Sequence, residues 1–105
     1  MIDILRSLAG SAPVVADGAW GTELVRRGAT GSCPERWNVE TPALVAEVAA
    51  AYVAAGARII LTNSFGGSPF KLAPHGLDGR TEELNERAAR ISVEAARGEA
   101  AVLGS

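Results

Sequence analysis

Short apolar runs alternate with segments of helical periodicity along this chain, and this alternation is the feature that most limits its fold. Apolar runs at residues 13–16, 58–62 and 100–103 are each predicted to form a buried strand. Amphipathic segments separate them and are predicted to form helices. Strands that alternate with helices favour parallel βαβ units with right-handed crossovers. The sequence therefore predicts an α/β fold with parallel strands and flanking helices, in one domain without a linker.

Two of the predicted helices carry clear start and stop signals. Thr41 is expected to cap the first, with Pro42 at its first helical position and Gly56 at its end. Thr81 is expected to cap the second, which fades at Gly98. The other predictions are shorter helices at residues 2–8 and 21–27, and loops at 28–38 and after residue 63.

Charge and cysteine usage exclude several classes of protein. The net charge is −2 with acids and bases interleaved, which argues against a nucleic-acid-binding patch or a basic membrane face. The apolar runs are too short to span a bilayer. The start, Met1-Ile2-Asp3, lacks the basic region of a signal peptide. The single cysteine cannot form an internal disulfide, so a reducing, cytoplasmic setting is expected.

Polar residues and glycines follow the first two predicted strands directly. In parallel α/β folds, functional groups gather at the carboxyl ends of the strands. Asp17 at such an end is suited to bind an ammonium group or to orient a metal ligand, although Asp-Gly is also a common turn pair. Asn63 offers both a donor and an acceptor, and its alternative role is an Asx-turn. Both loops are therefore candidate binding segments.

Other residues have a weaker link to function. The segment Gly66-Gly67-Ser68 could cradle a phosphate through its backbone amides, although it lacks the lysine spacing of a P-loop. Cys33 and His75 are the only soft metal ligands, and zinc sites need three or four ligands. They are interpreted as a packed residue and a surface loop residue. Trp20 and Trp37 are interpreted as packing residues that could also wall a pocket.

Several segments, in order and at matching spacing, resemble the homocysteine S-methyltransferase family, which includes the homocysteine-binding domain of methionine synthase and betaine-homocysteine methyltransferase. Residues 17–24, Asp-Gly-Ala-Trp-Gly-Thr-Glu-Leu, resemble the opening motif of the family. Residues 33–38, Cys-Pro-Glu-Arg-Trp-Asn, are similar to its Cys-Pro-Glu-Leu-Trp-Asn segment. Residues 54–67 resemble its second strand and Thr-Asn-Thr-Phe loop, and Glu83-Leu84-Asn85 and Gly104-Ser105 also fit. Together these matches are specific.

The resemblance implies a (β/α)8 TIM barrel, of which this chain would supply the N-terminal three βα units. Residues 1–105 would then be a partial homocysteine-binding domain. The implied reaction transfers a methyl group to the thiol of homocysteine to give methionine. The resemblance further implies that Asp17 and Gly18 hold the amino-acid part of homocysteine, with Thr22, Asn63 and Phe65 as further pocket residues. No catalytic residue is predicted in this chain.

The resemblance also implies a zinc ion that binds the substrate thiol, because a thiol with a pKa of about 8.5 is mostly protonated at neutral pH. The family's ligands are three cysteines on late strands, and these have no counterpart here, so this chain is predicted to hold no metal. The methyl donor stays open among betaine, methylfolate acting through cobalamin, and sulfonium compounds.

Only three of the eight barrel strands are predicted in this chain, and three explanations stay open. The chain is a fragment of a longer protein, the product of a truncated reading frame, or a piece that assembles with the remainder of the barrel or with itself. Two other readings of the function stay open. One is a fragment of a phosphate-binding α/β barrel enzyme, and the other is a non-catalytic self-assembling module.

Overall fold

A computed structural model describes residues 2–10 and 13–105. In these residues, helices pack around a small parallel sheet. The helices are α1 (Ile2–Ala9), α2 (Gly21–Arg26), α3 (Trp37–Glu40), α4 (Pro42–Ala54), α5 (Pro69–Leu72) and α6 (Thr81–Ala96), and the strands are β1 (Ile59–Leu61) and β2 (Ala101–Leu103). Single turns of 3₁₀ helix lie at Pro34–Arg36, Ala73–His75 and Asp78–Arg80.

The two strands pair in parallel, as the alternation of strands and helices predicted. Ile59 lies opposite Ala101 and Leu61 opposite Leu103. Parallel neighbours need a crossover connection, which α6 provides. Ile60 in the middle of the ladder and Ala101 at its first pair are both fully buried. The fold class is therefore α/β with parallel strands, as predicted.

The prediction of a full first strand at residues 13–16 is wrong. Ala16 forms a single parallel bridge with Ile59, on the edge of β1 that β2 leaves open. Two backbone hydrogen bonds flank this bridge, from Arg58 N to Val15 O at 2.8 Å and from Asp17 N to Ile59 O at 2.9 Å. Pro13 has no N–H to extend the ladder. The described residues thus hold a two-stranded sheet and one bridged segment rather than three complete βα units.

The two long helices form where their end signals predicted, with one shift in capping. Thr41 occupies the N-cap position of α4, but its side chain makes no capping hydrogen bond. Pro42 takes the first helical position, and Gly56 follows the helix with a φ of +106°. Thr81 is the first residue of α6 rather than its cap. Its hydroxyl donates to the carbonyl of Asp78 at 2.6 Å, which closes the preceding 3₁₀ turn.

Helices α4 and α6 supply most of the core. Buried side chains from both helices meet the underside of β1, and the main cluster joins Ala49, Ala57, Ile60, Ala96 and Ala100. Burial of a large side chain such as Ile60 stabilises the fold by roughly 1.5–3 kcal/mol. Among the described residues, no helix is both long enough and apolar enough to cross a membrane.

The segments predicted as loops contain short helical turns. Residues 28–38 include the 3₁₀ turn Pro34–Arg36 and the start of α3, and the stretch after β1 includes α5. Ser68 caps α5, because its hydroxyl accepts a hydrogen bond from Lys71 N at 3.2 Å. These turns bring residues 33–38 against the carboxyl end of β1, where the candidate site lies.

Candidate functional site

Asp17 joins the bridged segment to the end of β1. Its Oδ2 accepts hydrogen bonds from Leu61 N and from Trp20 Nε1, each at 2.8 Å. The carboxylate therefore fixes the strand-end loop and the orientation of the Trp20 ring. All hydrogen bonds described for this carboxylate end on Oδ2, which leaves Oδ1 for a ligand.

The loop after the bridged segment approaches α4 closely at Gly18, which leaves little room for a larger side chain. A Cβ at this position would lie 3.1 Å from the hydroxyl oxygen of Tyr52. That hydroxyl donates to the carbonyl of Ala19 at 2.7 Å, and burial raises the pKa of Tyr52. Tyr52 thus supports the Asp-Gly turn from below. Thr22 lies in the first turn of α2 and its side chain is exposed.

Asn63 and Asn38 form a buried amide pair at the end of β1. Asn63 Nδ2 donates to Asn38 Oδ1 at 3.0 Å and to Pro34 O at 2.9 Å. In return, Asn38 Nδ2 donates to Asn63 O at 3.0 Å and to Leu84 O at 3.1 Å. Asn63 is 3% exposed and Asn38 is 0% exposed. The pair therefore ties the loop after β1 to residues 33–38 and to α6.

A buried carboxylate makes a second link between the same segments. Glu35 is 6% exposed, and its Oε2 accepts a hydrogen bond from Gly66 N at 3.0 Å. Gly67 N donates to Ser64 O at 2.9 Å. Two of the three amides predicted as a possible phosphate cradle, those of Gly66 and Gly67, are thus hydrogen-bonded within the protein, and that of Gly66 donates to a carboxylate. The geometry opposes phosphate binding at this loop.

These residues surround an open cleft of about 460 Å³ at the strand ends. Its walls include Trp20, Pro34, Glu35, Asn63, Phe65 and His75. The structure therefore brings Asn63 and Phe65 together, with Asp17 behind Trp20. Asp17, Gly18 and Thr22 are not among the lining residues. Asp17 is linked to the wall of the cleft by the hydrogen bond that it accepts from Trp20. A larger groove of about 660 Å³ lies between α4 and α6, away from the strand ends.

Phe65 lies at the opening of this cleft. Its side chain is 84% exposed, and Lys71 Nζ lies 5.7 Å from the ring centroid. Such a contact is worth roughly 0.5–1 kcal/mol at an exposed site. The ring is therefore a large apolar surface that is open to a ligand or to another part of a longer protein.

Comparison with known proteins identifies the family of this chain. Residues 14–105 match the sequence profile described as Homocysteine S-methyltransferase. The chain belongs to the homocysteine S-methyltransferase family. It is 36% identical over 100 residues to Homocysteine S-methyltransferase 3 of Arabidopsis thaliana, a match that covers 90% of this chain and 28% of the relative.

Solved structures of a bacterial member agree with this assignment. The metallated form of the homocysteine methyltransferase MmuM from Escherichia coli superposes with a TM-score of 0.83 at 29% identity, over 96% of this chain and 40% of that one. The apo form superposes with a TM-score of 0.73 at 28% identity, over 96% of this chain and 39% of that one. This chain thus spans less than half the length of these homocysteine S-methyltransferases.

The metal ligands expected of a metallated homocysteine S-methyltransferase are missing from the described residues. No group of three or more His, Cys, Asp or Glu side chains is placed there to hold a metal ion. Cys33 and His75, which are far apart in sequence, do line the same cleft. Burial raises the pKa of the Cys33 thiol, and its Sγ lies 3.7 Å from Glu35 Oε1, so the thiol stays protonated. These side chains do not fit zinc.

Two residues of the site, Glu35 and Asn38, were not predicted from the sequence as functional, although they organise the cleft. Trp20, for which a pocket wall was one predicted role, lines the cleft and donates a hydrogen bond to Asp17. The sequence predicts only a loop at residues 28–38. The contacts of residues 33–38 with the loop after β1 span at least 25 positions in sequence. The signal that could have found them is the similarity of residues 33–38 to the family segment.

Proposed function

We propose that this chain supplies the N-terminal substrate-binding part of a homocysteine S-methyltransferase. The reaction would transfer a methyl group to the sulfur of homocysteine and yield methionine. The match of residues 14–105 to the family carries this proposal. Residues 1–105 would then be part of a homocysteine-binding domain whose remaining strands close a (β/α)8 barrel. A cytoplasmic location is supported by the single cysteine.

The roles of the site residues follow from the groups that the fold leaves free. Asp17 Oδ1 is available to accept a hydrogen bond from the ammonium group of homocysteine, while Oδ2 holds the loop in place. Gly18 keeps the turn close to Tyr52. Asn63 would offer its Oδ1 to the substrate, since its Nδ2 is committed to Asn38 and Pro34.

Phe65 and Thr22 would lie toward the outer part of the substrate site, since both side chains are exposed. The described residues contain no ligand set for zinc, so we assign no metal-dependent step to this chain. Its own contribution is to bind and orient the amino-acid part of homocysteine and to shield one side of the cleft.

A chimeric enzyme tests this proposal. Residues 14–105 would replace the matching segment of the Escherichia coli homocysteine methyltransferase, and methyl transfer to homocysteine would be measured. Asp17→Asn retains an oxygen that can accept the hydrogen bonds of Leu61 and Trp20, but it removes the negative charge. A hydrogen bond to a charged group contributes roughly 1.5–3 kcal/mol, so the KM for homocysteine should rise by about tenfold or more.

The matched control is Asp78→Asn, which removes an exposed carboxylate in the 3₁₀ turn before α6. This variant should leave the KM unchanged. An active chimera in which Asp17→Asn behaves like the control would refute the ammonium-binding role. A correctly folded chimera with no methyl transfer would refute the proposed function.

A further inference from the structure

Arg36 is a half-buried cation without a carboxylate partner in the described part of the chain. Its Nη2 donates to the carbonyl of His75 at 3.3 Å, while its Nε is buried and lacks an acceptor. Arg27, whose Nε also lacks a hydrogen bond, differs because its guanidinium pairs with the carboxylates of Glu23 and Glu47. A buried polar group without a partner is costly, and a bound ion is one way to satisfy it.

Arg36 is one of the residues that line a small cavity of about 170 Å³. It is lined by Thr30, Gly31, Ser32, Cys33, Arg36 and His75. The lining residues thus include two that carry a hydroxyl group and one permanent cation, and none of them carries a carboxylate. The carboxylate of Glu35, next in sequence, accepts instead from Gly66 N in the neighbouring cleft.

The cavity opens beside the candidate substrate cleft. Ser32, Cys33 and His75 line both spaces. One water occupies about 30 Å³ in the liquid, so the cavity has room for roughly five water-sized groups. A compact ion such as acetate or phosphate has a similar number of heavy atoms.

We propose that this cavity binds a compact oxyanion, a carboxylate or a phosphate. The planar guanidinium presents paired N–H groups that match two oxygens of such an anion. A small rotation of the side chain would let the anion accept from Nε–H and an Nη–H together, while the hydroxyls of Thr30 and Ser32 donate to its remaining oxygens. None of the residues assigned to homocysteine lines this cavity, so the site does not depend on the proposed methyl transfer.

Nuclear magnetic resonance of the 105-residue chain tests this proposal through the Arg36 Nε–H signal. Acetate, inorganic phosphate and chloride would be titrated separately at constant ionic strength. A saturable shift with acetate or phosphate, but not with chloride, is expected. The oxyanion that binds more tightly indicates whether the natural ligand carries a carboxylate or a phosphate. A shift that stays linear with both oxyanions overturns the proposal.

Two substitutions and a control locate the binding site. Arg36→Leu should weaken binding by about tenfold or more, because a charged hydrogen-bond donor is lost. Arg87→Leu makes the same change of charge on an exposed part of α6 and should bind as the original chain does. Equal binding by both variants overturns the proposal.

Arg36→Lys covers the case in which Arg36→Leu fails to fold. Lysine keeps the positive charge but lacks the paired N–H groups. Weaker binding by this variant, with an unchanged circular dichroism spectrum, supports the site. Unchanged binding overturns it, because a general attraction of charge would then suffice.

Discussion

Replacement of the Asn38 side-chain amide by an apolar group is expected to destabilise the fold more than any other single substitution at the site. Asn38 is fully buried and takes part in three hydrogen bonds, two to the backbone carbonyls of Asn63 and Leu84 and one from Asn63 Nδ2. Asn38→Leu has a similar volume, so it removes the polar contacts without opening a large cavity. The effect should therefore report on hydrogen bonding rather than on packing.

The magnitude follows from these three contacts. Each hydrogen bond contributes about 0.5–1.5 kcal/mol, and a buried carbonyl left without a donor costs about 1–3 kcal/mol. Leu84 O lies within α6, where the helix supplies another donor, so the carbonyl of Asn63 carries most of the penalty. The free energy of unfolding should fall by roughly 3 kcal/mol, a large share of the 5–15 kcal/mol typical of a domain.

Urea unfolding followed by circular dichroism measures this loss. With a denaturant slope of about 2 kcal/mol/M, the midpoint should fall by roughly 1.5 M. The control is Glu40→Ala, an exposed position in the same short helix, which should change the free energy of unfolding by less than about 0.5 kcal/mol. A loss below about 1 kcal/mol for Asn38→Leu would refute the argument that the amide pair holds these segments together.

Three further outcomes are expected. Gly67→Ala should destabilise the chain by roughly 1–3 kcal/mol, because the new Cβ would lie 2.6 Å from Asn85 Oδ1 and 3.0 Å from the carbonyl of Ser64. The control is Gly79→Ala, whose Cβ would meet no atom within 4 Å, and it should leave the free energy of unfolding unchanged in the same assay. Burial raises the pKa of the Cys33 thiol in the folded state. The protonated thiol therefore makes its full contribution to stability below the unfolded thiol pKa of about 8.5, and this contribution is lost as the pH rises through the pKa of the folded state. Cys33→Ala should therefore flatten the pH dependence of the unfolding midpoint over that window, and an unchanged profile would contradict this assignment. Finally, the isolated chain should self-associate and show no methyltransferase activity, since within the described residues β2 pairs on one edge only. Light scattering that finds a clean monomer, together with methionine formation in the presence of zinc, would overturn both expectations.

Local signals in the sequence were sufficient to predict the two long helices and the two paired strands. Helix α4 carries its own start signal in Pro42 and its stop signal in Gly56, and these act within a few residues of the positions they determine. The segment at 13–16 failed as a strand because pairing, unlike capping, depends on distant neighbours. The segment is apolar but not buried, since Val15 is 60% exposed. Its backbone bonds at β1 involve Val15 O and the N–H of Asp17, the residue that follows it.

The candidate site could be predicted only in part for the same reason. Asp17 and Asn63 were predicted because each follows an apolar run directly, and the structure places both at the strand ends. The hydrogen bonds that hold them were not visible in the sequence. Asn63 depends on Asn38, which is 25 positions away, and Asp17 depends on Leu61, which is 44 positions away. No local pattern specifies contacts across such distances.

These long-range contacts join three loops that the backbone pairing alone would leave separate. Asp17 fixes the loop after the bridged segment to β1, whereas Asn38 and Glu35 fix residues 33–38 to the loop after β1. Because Asn63 is at once a donor to Asn38 and a candidate substrate ligand, a change at Asn38 should also displace the group offered to homocysteine. Residues in one hydrogen-bond network lose stability non-additively when they are replaced together. The same buried polar contacts therefore stabilise this end of the sheet and set the geometry with which it can hold a substrate.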